Sequence, residues 1–200
     1  MNELPNITNN IALNFINSQL FRNGKLIELI DSLSSLENWT EQPLMDDLEY
    51  NTQLSIFNTC LECTDSLDDI IELRDKLYLL LTAISRQEEE ISTLQKVIED
   101  SLLAHPIRLV FVDTIPLYVP VDSGVAGIKC LIHFSLAKLV ESGDINKLSS
   151  CANKDCPLLF INQTGRRKWC SMKICGNRHK VERFENKHKK HINWIKQEQE

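Results

Sequence analysis

Residues 151–175 read CANKDCPLLFINQTGRRKWCSMKIC, which sets Cys151, Cys156, Cys170 and Cys175 in the pattern Cys-x4-Cys-x13-Cys-x4-Cys. Each short arm lets one turn of chain present two sulfurs to one ion. Four thiolates at about 2.3 Å close the coordination of zinc and leave no open position for catalysis. One structural zinc ion is therefore expected; an iron–sulfur cluster or a redox-active thiol set are the other readings of such a group. The 13 residues between the arms suit a hairpin, with Leu158–Ile161 going out, Asn162–Gly165 turning and Arg166–Trp169 returning. A helix is expected from about Gly176. Knuckle, hairpin and helix together describe a small treble-clef-like finger.

Downstream of the first cysteine the chain is basic. Residues 151–200 carry 12 Lys and Arg against 5 Asp and Glu, whereas residues 1–150 carry 10 against 23. The net charges are +7 and −13 within an overall −6. Four thiolates around a divalent ion lower the basic half by two charges, so it stays positive when metallated. Beyond Cys175, the residues Lys180, Arg183, Lys187 and Lys190 share one helical face, and Val181, Phe184, His188, Ile192 and Ile195 form an apolar stripe expected to pack on the rest of the protein.

Upstream, apolar residues recur at helical spacing. Helices are expected over Ile7–Phe21, ended by Asn23-Gly24, and over Lys25–Leu36, Leu44–Cys63, Ser66–Ser85 and Glu88–Leu103, with a break at Trp39–Pro43. The period then changes to that of two β-branched strands, Ile107–Val112 and Leu117–Val121, joined by Asp113–Pro116. A helix from Val125 to Val140 follows and ends at Gly143. The expectation is a mainly α protein: a helical domain over residues 1–143 with one small two-stranded β element, then the finger over residues 144–200. A ligand pocket would lie between helices of the first domain, closed by the strands of Ile107–Val121.

The stretch from Arg166 to Arg178 resembles the signature of the CGNR zinc-finger family, in which Cys175-Gly176-Asn177-Arg178 is the naming element and Cys151 and Cys156 match the upstream ligand pair. The resemblance covers about a quarter of the chain. It implies a preceding helical domain of the ABATE type, weakly echoed by Leu13-Asn14-Phe15-Ile16-Asn17 and Glu72-Leu73-Arg74-Asp75-Lys76-Leu77, and a role in stress-related bacterial transcription regulation. The turn departs from the family pattern: no acidic residue follows Phe160, and Lys168 separates the paired arginines from Trp169.

These features lead to a transcription regulator that contacts DNA phosphates through Arg166, Arg167, Lys168, Arg178, Lys180, Arg183, Lys187 and Lys190, while the helical domain senses a small molecule or a protein partner. Asn177 and Arg178 could read base edges, but beside a zinc ligand structural use, satisfying backbone groups and bracing the hairpin, is the better reading. Trp169 reads as finger core. The alternative is an interaction or assembly module whose finger is purely structural. Composition, with 42% hydrophobic and 25% charged residues, is that of a globular chain. No apolar run approaches the roughly 20 residues of a membrane helix, and Met1–Pro5 lacks the start of a secretory signal, so the cytoplasm is the expected compartment. No catalytic constellation is present in the sequence, and no enzyme is expected. Cys60, Cys63, Cys130 and His133 could make a second metal site, but packing is the simpler use of such residues.

Overall fold

Helix α1 (Ile11–Ile16) is buried along its whole length and starts at Asn10, whose side chain accepts the Leu13 N–H. A computed structural model describes residues 5, 7–41, 48–63, 66–112 and 114–185. After α1 the chain departs from the two helices expected over Ile7–Phe21 and Lys25–Leu36. It forms an antiparallel hairpin instead, β1 (Gln19–Arg22) with β2 (Lys25–Glu28). The cause is Asn23-Gly24: φ is +52° and +77° at the two positions, and two-residue turns with positive φ at both centres match the twist of paired strands. The dipeptide turns a hairpin here rather than stopping a helix. Helix α2 (Leu33–Thr40) begins only after a reciprocal cap between Ser32 and Ser35, and it carries Trp39 into the core.

The remaining helices fall close to expectation. They are α3 (Leu48–Leu61), α4 (Leu67–Ser85), α5 (Ile91–Ala104) and α6 (Gly124–Glu141). Residues 42–47, including part of the segment expected to start the third helix, lie outside the described residues. Ser66 caps α4. Between α5 and α6, β3 (Ile107–Val112) and β4 (Ile115–Pro120) form a second antiparallel hairpin; its loop is two residues rather than four. The protein is mainly α, and its helical part holds two small β hairpins instead of one.

Helix α6 is the centre of the fold and contacts α1, α3, α4 and α5. Ile128, Leu131, Ile132, Leu136 and Leu139 supply its buried faces. Gly127 lets α3 come close: a Cβ there would sit 2.6 Å from the Cys60 sulfur and from the Asp122 carbonyl oxygen. Phe15, Trp39 and Phe57 form a three-ring cluster with centroids 5.6 to 6.4 Å apart. Among the described residues no helix is long and apolar enough to cross a membrane.

One charge lies inside this core. Arg74 on α4 is 2% exposed and pairs with Glu28 at the end of β2 (2.5 Å) and with Asp75 (2.8 Å), while donating to the Ser18 hydroxyl (3.1 Å). Burial alone would raise the Glu28 carboxyl, but hydrogen bonds from Arg74, Gln19 and the Ile30 N–H outweigh it and hold the group below its ordinary 4.5. A depressed carboxylate stabilises the fold above its unfolded-state pKa and loses that contribution as pH falls through its folded-state value. Glu28→Gln should therefore cost about 2 kcal/mol at pH 7, below the roughly 3–5 kcal/mol of a fully buried pair. In urea titrations the gap between wild type and variant should close as pH falls below 4.5; an unchanged gap at pH 3 would contradict the assignment.

Candidate metal centre

The finger begins one strand earlier than its first cysteine. After a 3-10 turn at Asp144–Lys147, β5 (Leu148–Ser150) pairs antiparallel with β6 (Leu159–Ile161). The expected hairpin between Leu158–Ile161 and Arg166–Trp169 is thus replaced by pairing with the upstream strand. The return segment is held by single bonds, Ala152 N–H to the Lys168 carbonyl (2.8 Å) and Asn162 to Arg167 in both directions (3.0 and 3.1 Å). The ladder registers the metal ligands: Cys151 leaves the end of β5, and Cys156 lies in the knuckle that returns to β6. Cys170 follows the hairpin return. Cys175 sits in a π turn, Met172–Gly176, started by Ser171, whose hydroxyl accepts the Ile174 N–H. Residues 177–185 continue as helix α7.

The four sulfurs lie within 4.8 Å of one another, and those of Cys156 and Cys170 are 3.7 Å apart. Four zinc–sulfur bonds of about 2.3 Å in a tetrahedron place sulfurs about 3.8 Å apart, so the donor set fits the ion. Thiol chemistry agrees. Hydrogen bonds from Cys156 and Cys170 hold the Cys151 thiol far below its usual range, and the same contacts with Cys151, with burial, push Cys156 and Cys170 up. Without a cation the cluster stabilises one thiolate at the expense of its neighbours; a divalent ion removes that conflict. The Cys170 N–H points at the Cys151 sulfur (3.5 Å) and the Asn153 amide at the Cys175 sulfur (3.8 Å), which orients the ligands.

Strand β6 serves two cores because its side chains alternate. Leu159 enters the helical core, while Leu158 and Phe160 pack with the cysteines, Trp169 and Ile174. Leu20 of β1 joins the same cluster. The seam is fastened by Asn17: its amide donates to the Leu159 carbonyl (2.8 Å) and accepts the Leu159 N–H (2.9 Å), all buried. Sequence reasoning gave Asn17 no role, although it ends the Leu13–Asn17 segment that the resemblance singled out.

The expected phosphate contacts divide into two groups. Arg167 bonds the carbonyls of Trp169 and Cys170 and lies over the Phe160 ring at 4.4 Å. Arg178 reaches the Phe21 carbonyl of β1 (3.4 Å). Both brace the finger. Arg166, Lys168, Lys180 and Arg183 are exposed, and among the described residues no ion pair or hydrogen bond of their side chains is found. Lys187 and Lys190, with His188, Ile192 and Ile195 of the apolar stripe, lie outside the described residues. Val181 and Phe184 are largely exposed. Trp169 is half-buried and stacks on His179, with ring centroids 4.6 Å apart.

The second cysteine group does not assemble. Among the described residues the one cluster of metal-binding side chains is that of Cys151. Cys60 and Cys130 are buried and their thiols are pushed up to about 11 chiefly by that burial. His133 is fixed by the Lys129 carbonyl (2.7 Å) and the Ser101 hydroxyl (2.9 Å). These residues pack the core.

A knuckle, a helix start and four converging sulfurs define a small structural zinc finger. The family model described as the CGNR zinc finger matches residues 147–188, which begin at the end of the 3-10 turn and so include β5. None of the curated proteins matches the chain.

Metal analysis of the purified protein should find one zinc per chain, and Cys175→Ser should lower that content sharply; no zinc, or two, would contradict the single closed site. Asn17→Ala leaves the Leu159 N–H and carbonyl buried without partners and should cost about 2–3 kcal/mol. Proteolysis within residues 151–185 should accelerate in that variant even with zinc bound; unaltered protection would show that the clamp does not hold the seam.

Proposed function

We propose that this protein is a transcription regulator of the cytoplasm whose zinc finger binds DNA, whose helical part is an ABATE-like sensor, and which catalyses no reaction. The observation that carries the reading is the division of cations on the finger. Arg167 and Arg178 are spent on internal carbonyls, whereas Arg166, Lys168, Lys180 and Arg183 stand exposed on the two segments that flank the metal cluster. Structural needs do not account for them, and phosphate contacts do. The CGNR match over the finger supports the same reading. Four clustered thiols suit a reducing compartment. The buried hydrogen bonds of Asn14, Asn17 and Arg74 give physical work to both segments that echo the ABATE domain.

The sensor would not use the pocket expected between helices and closed by Ile107–Val121. A cavity of about 740 Å³ lies instead at the seam, where Asn10, Tyr50, Ser135 and Lys138 face Ile161 and Arg167 of the finger. Its lining carries both signs, Lys138 paired with Glu141 and Arg167 standing with Asp144, so a small polar molecule suits it better than an anion. Occupancy there would be coupled to the orientation of the finger, since Arg167 also holds the segment that carries Cys170.

Binding should be dominated by counterion release, with a logarithmic salt slope of about 0.9 per phosphate neutralised. If the four exposed cations each engage one phosphate, affinity of the zinc-loaded chain for duplex DNA should fall by about two orders of magnitude between 50 and 200 mM salt. Replacing Lys180 and Arg183 by Ala should reduce the slope by about 2 with zinc content unchanged. Absence of measurable binding at 50 mM salt would refute the proposal.

A further inference from the structure

We infer that the β3–β4 hairpin is a dimerisation element, and that its occupant is the same hairpin of a second copy of this chain, paired β3 to β3. The twelve strand residues, IRLVFV and IPLYVP, carry a single charge, Arg108. Leu109 is 51% and Phe111 65% exposed. They stand on one face of the ribbon, since side chains two apart on a strand share a face. The ribbon forms its own two-stranded sheet, and its contact with the body is made chiefly by β4 against α6.

The two edges of the ribbon differ. The Val121 N–H donates to the Pro106 carbonyl (3.0 Å), which fixes the parity of the ladder: residues 108, 110 and 112 bond inward to β4. Ile107, Leu109 and Phe111 therefore direct their backbone groups outward along the free edge of β3. On the other strand the outward positions are Pro116, Tyr118 and Pro120. Two of those three have no N–H to give, so the β4 edge is blunted while the β3 edge is not.

Strand β3 is complementary to itself. In an antiparallel pair centred on Leu109, Leu109 meets Leu109 of the partner copy and Ile107 meets Phe111, which closes six backbone hydrogen bonds. Arg108 falls opposite Val110, so the two like charges do not face each other. The four-stranded sheet that results ends in β4 on both sides, where the prolines stop further growth; the assembly closes at two rather than extending into a fibre. Charge favours this contact over others between copies. Residues 1–150 carry −13, and the ribbon is a near-neutral element along which two acidic bodies can meet. Six residues of strand span only about 20 Å, so the contact is at the small end of specific interfaces and should dissociate in the micromolar range.

Sedimentation equilibrium on the zinc-loaded full chain, from about 1 to about 500 µM, tests this directly. The mean mass should rise from 23.0 kDa towards twice that value. Leu109→Lys should weaken association at least tenfold with zinc content and circular dichroism unchanged. Leu79→Lys, at a 68% exposed apolar position on α4, a helix separate from the ribbon, should leave it intact. Hydrogen exchange at the Leu109 and Phe111 amides should slow as concentration rises. A single-chain mass at every concentration would overturn the inference. So would a dimer indifferent to Leu109→Lys, equal weakening by Leu79→Lys, or association that leaves those amides exchanging freely. The DNA proposal stands or falls separately, since neither hairpin strand contributes to the basic surface.

Discussion

Four sulfurs held within 4.8 Å of one another form the constraint on which the finger depends. Ionised together without a cation they repel, and protonated together they waste four ligand positions; only a bound divalent ion satisfies the whole set. The local chain is built to deliver them. The β5–β6 ladder fixes Cys151 and the knuckle of Cys156, the bonds of Asn162 and Arg167 return the chain to Cys170, and the π turn begun by Ser171 brings Cys175 round. Residues 151–185 have little apolar core beyond Leu158, Phe160, Trp169 and Ile174. Metal coordination therefore supplies the main ordering free energy of the segment, on the order of 10 kcal/mol for structural zinc sites.

The finger is joined to the helical part by more than a linker. Leu159 is buried in the helical core, while Leu158 and Phe160 on either side of it face the cysteines. Asn17 grips its backbone on both sides, and Arg178 ties the start of α7 to β1. That β hairpin is in turn anchored through Glu28 to the buried Arg74. A chain of polar contacts thus runs from α4 through the first hairpin to the helix after the last metal ligand. It joins the finger to the helical part, while Arg166, Lys168, Lys180 and Arg183 remain exposed.

The metal site was fully legible in the sequence, because ligand spacing is a local property and four cysteines at matched intervals have few other uses. The long helices were legible for the same reason: Ser66, the apolar period and the residues around Pro106 mark their ends. The first forty residues were not. Ile7, Ile11, Phe15 and Leu20 fit a helical period, yet Leu20 reaches the finger core from a strand, and the turn chemistry of Asn23-Gly24 outweighed the periodicity. The pairing of β6 with β5 was hidden because strand partners are set by tertiary packing, and Leu148–Ser150 is too short to show a period. The bracing roles of Arg167 and Arg178 could not be separated from phosphate contacts by charge alone, since both uses select the same side chain.

X-ray absorption at the zinc edge of the purified 200-residue chain reads out whether the four cysteines form a closed, all-thiolate site. Four sulfur neighbours at about 2.3 Å are expected, with no nitrogen or oxygen in the coordination shell. A shell with fewer than four sulfurs, completed by histidine or water, would contradict it.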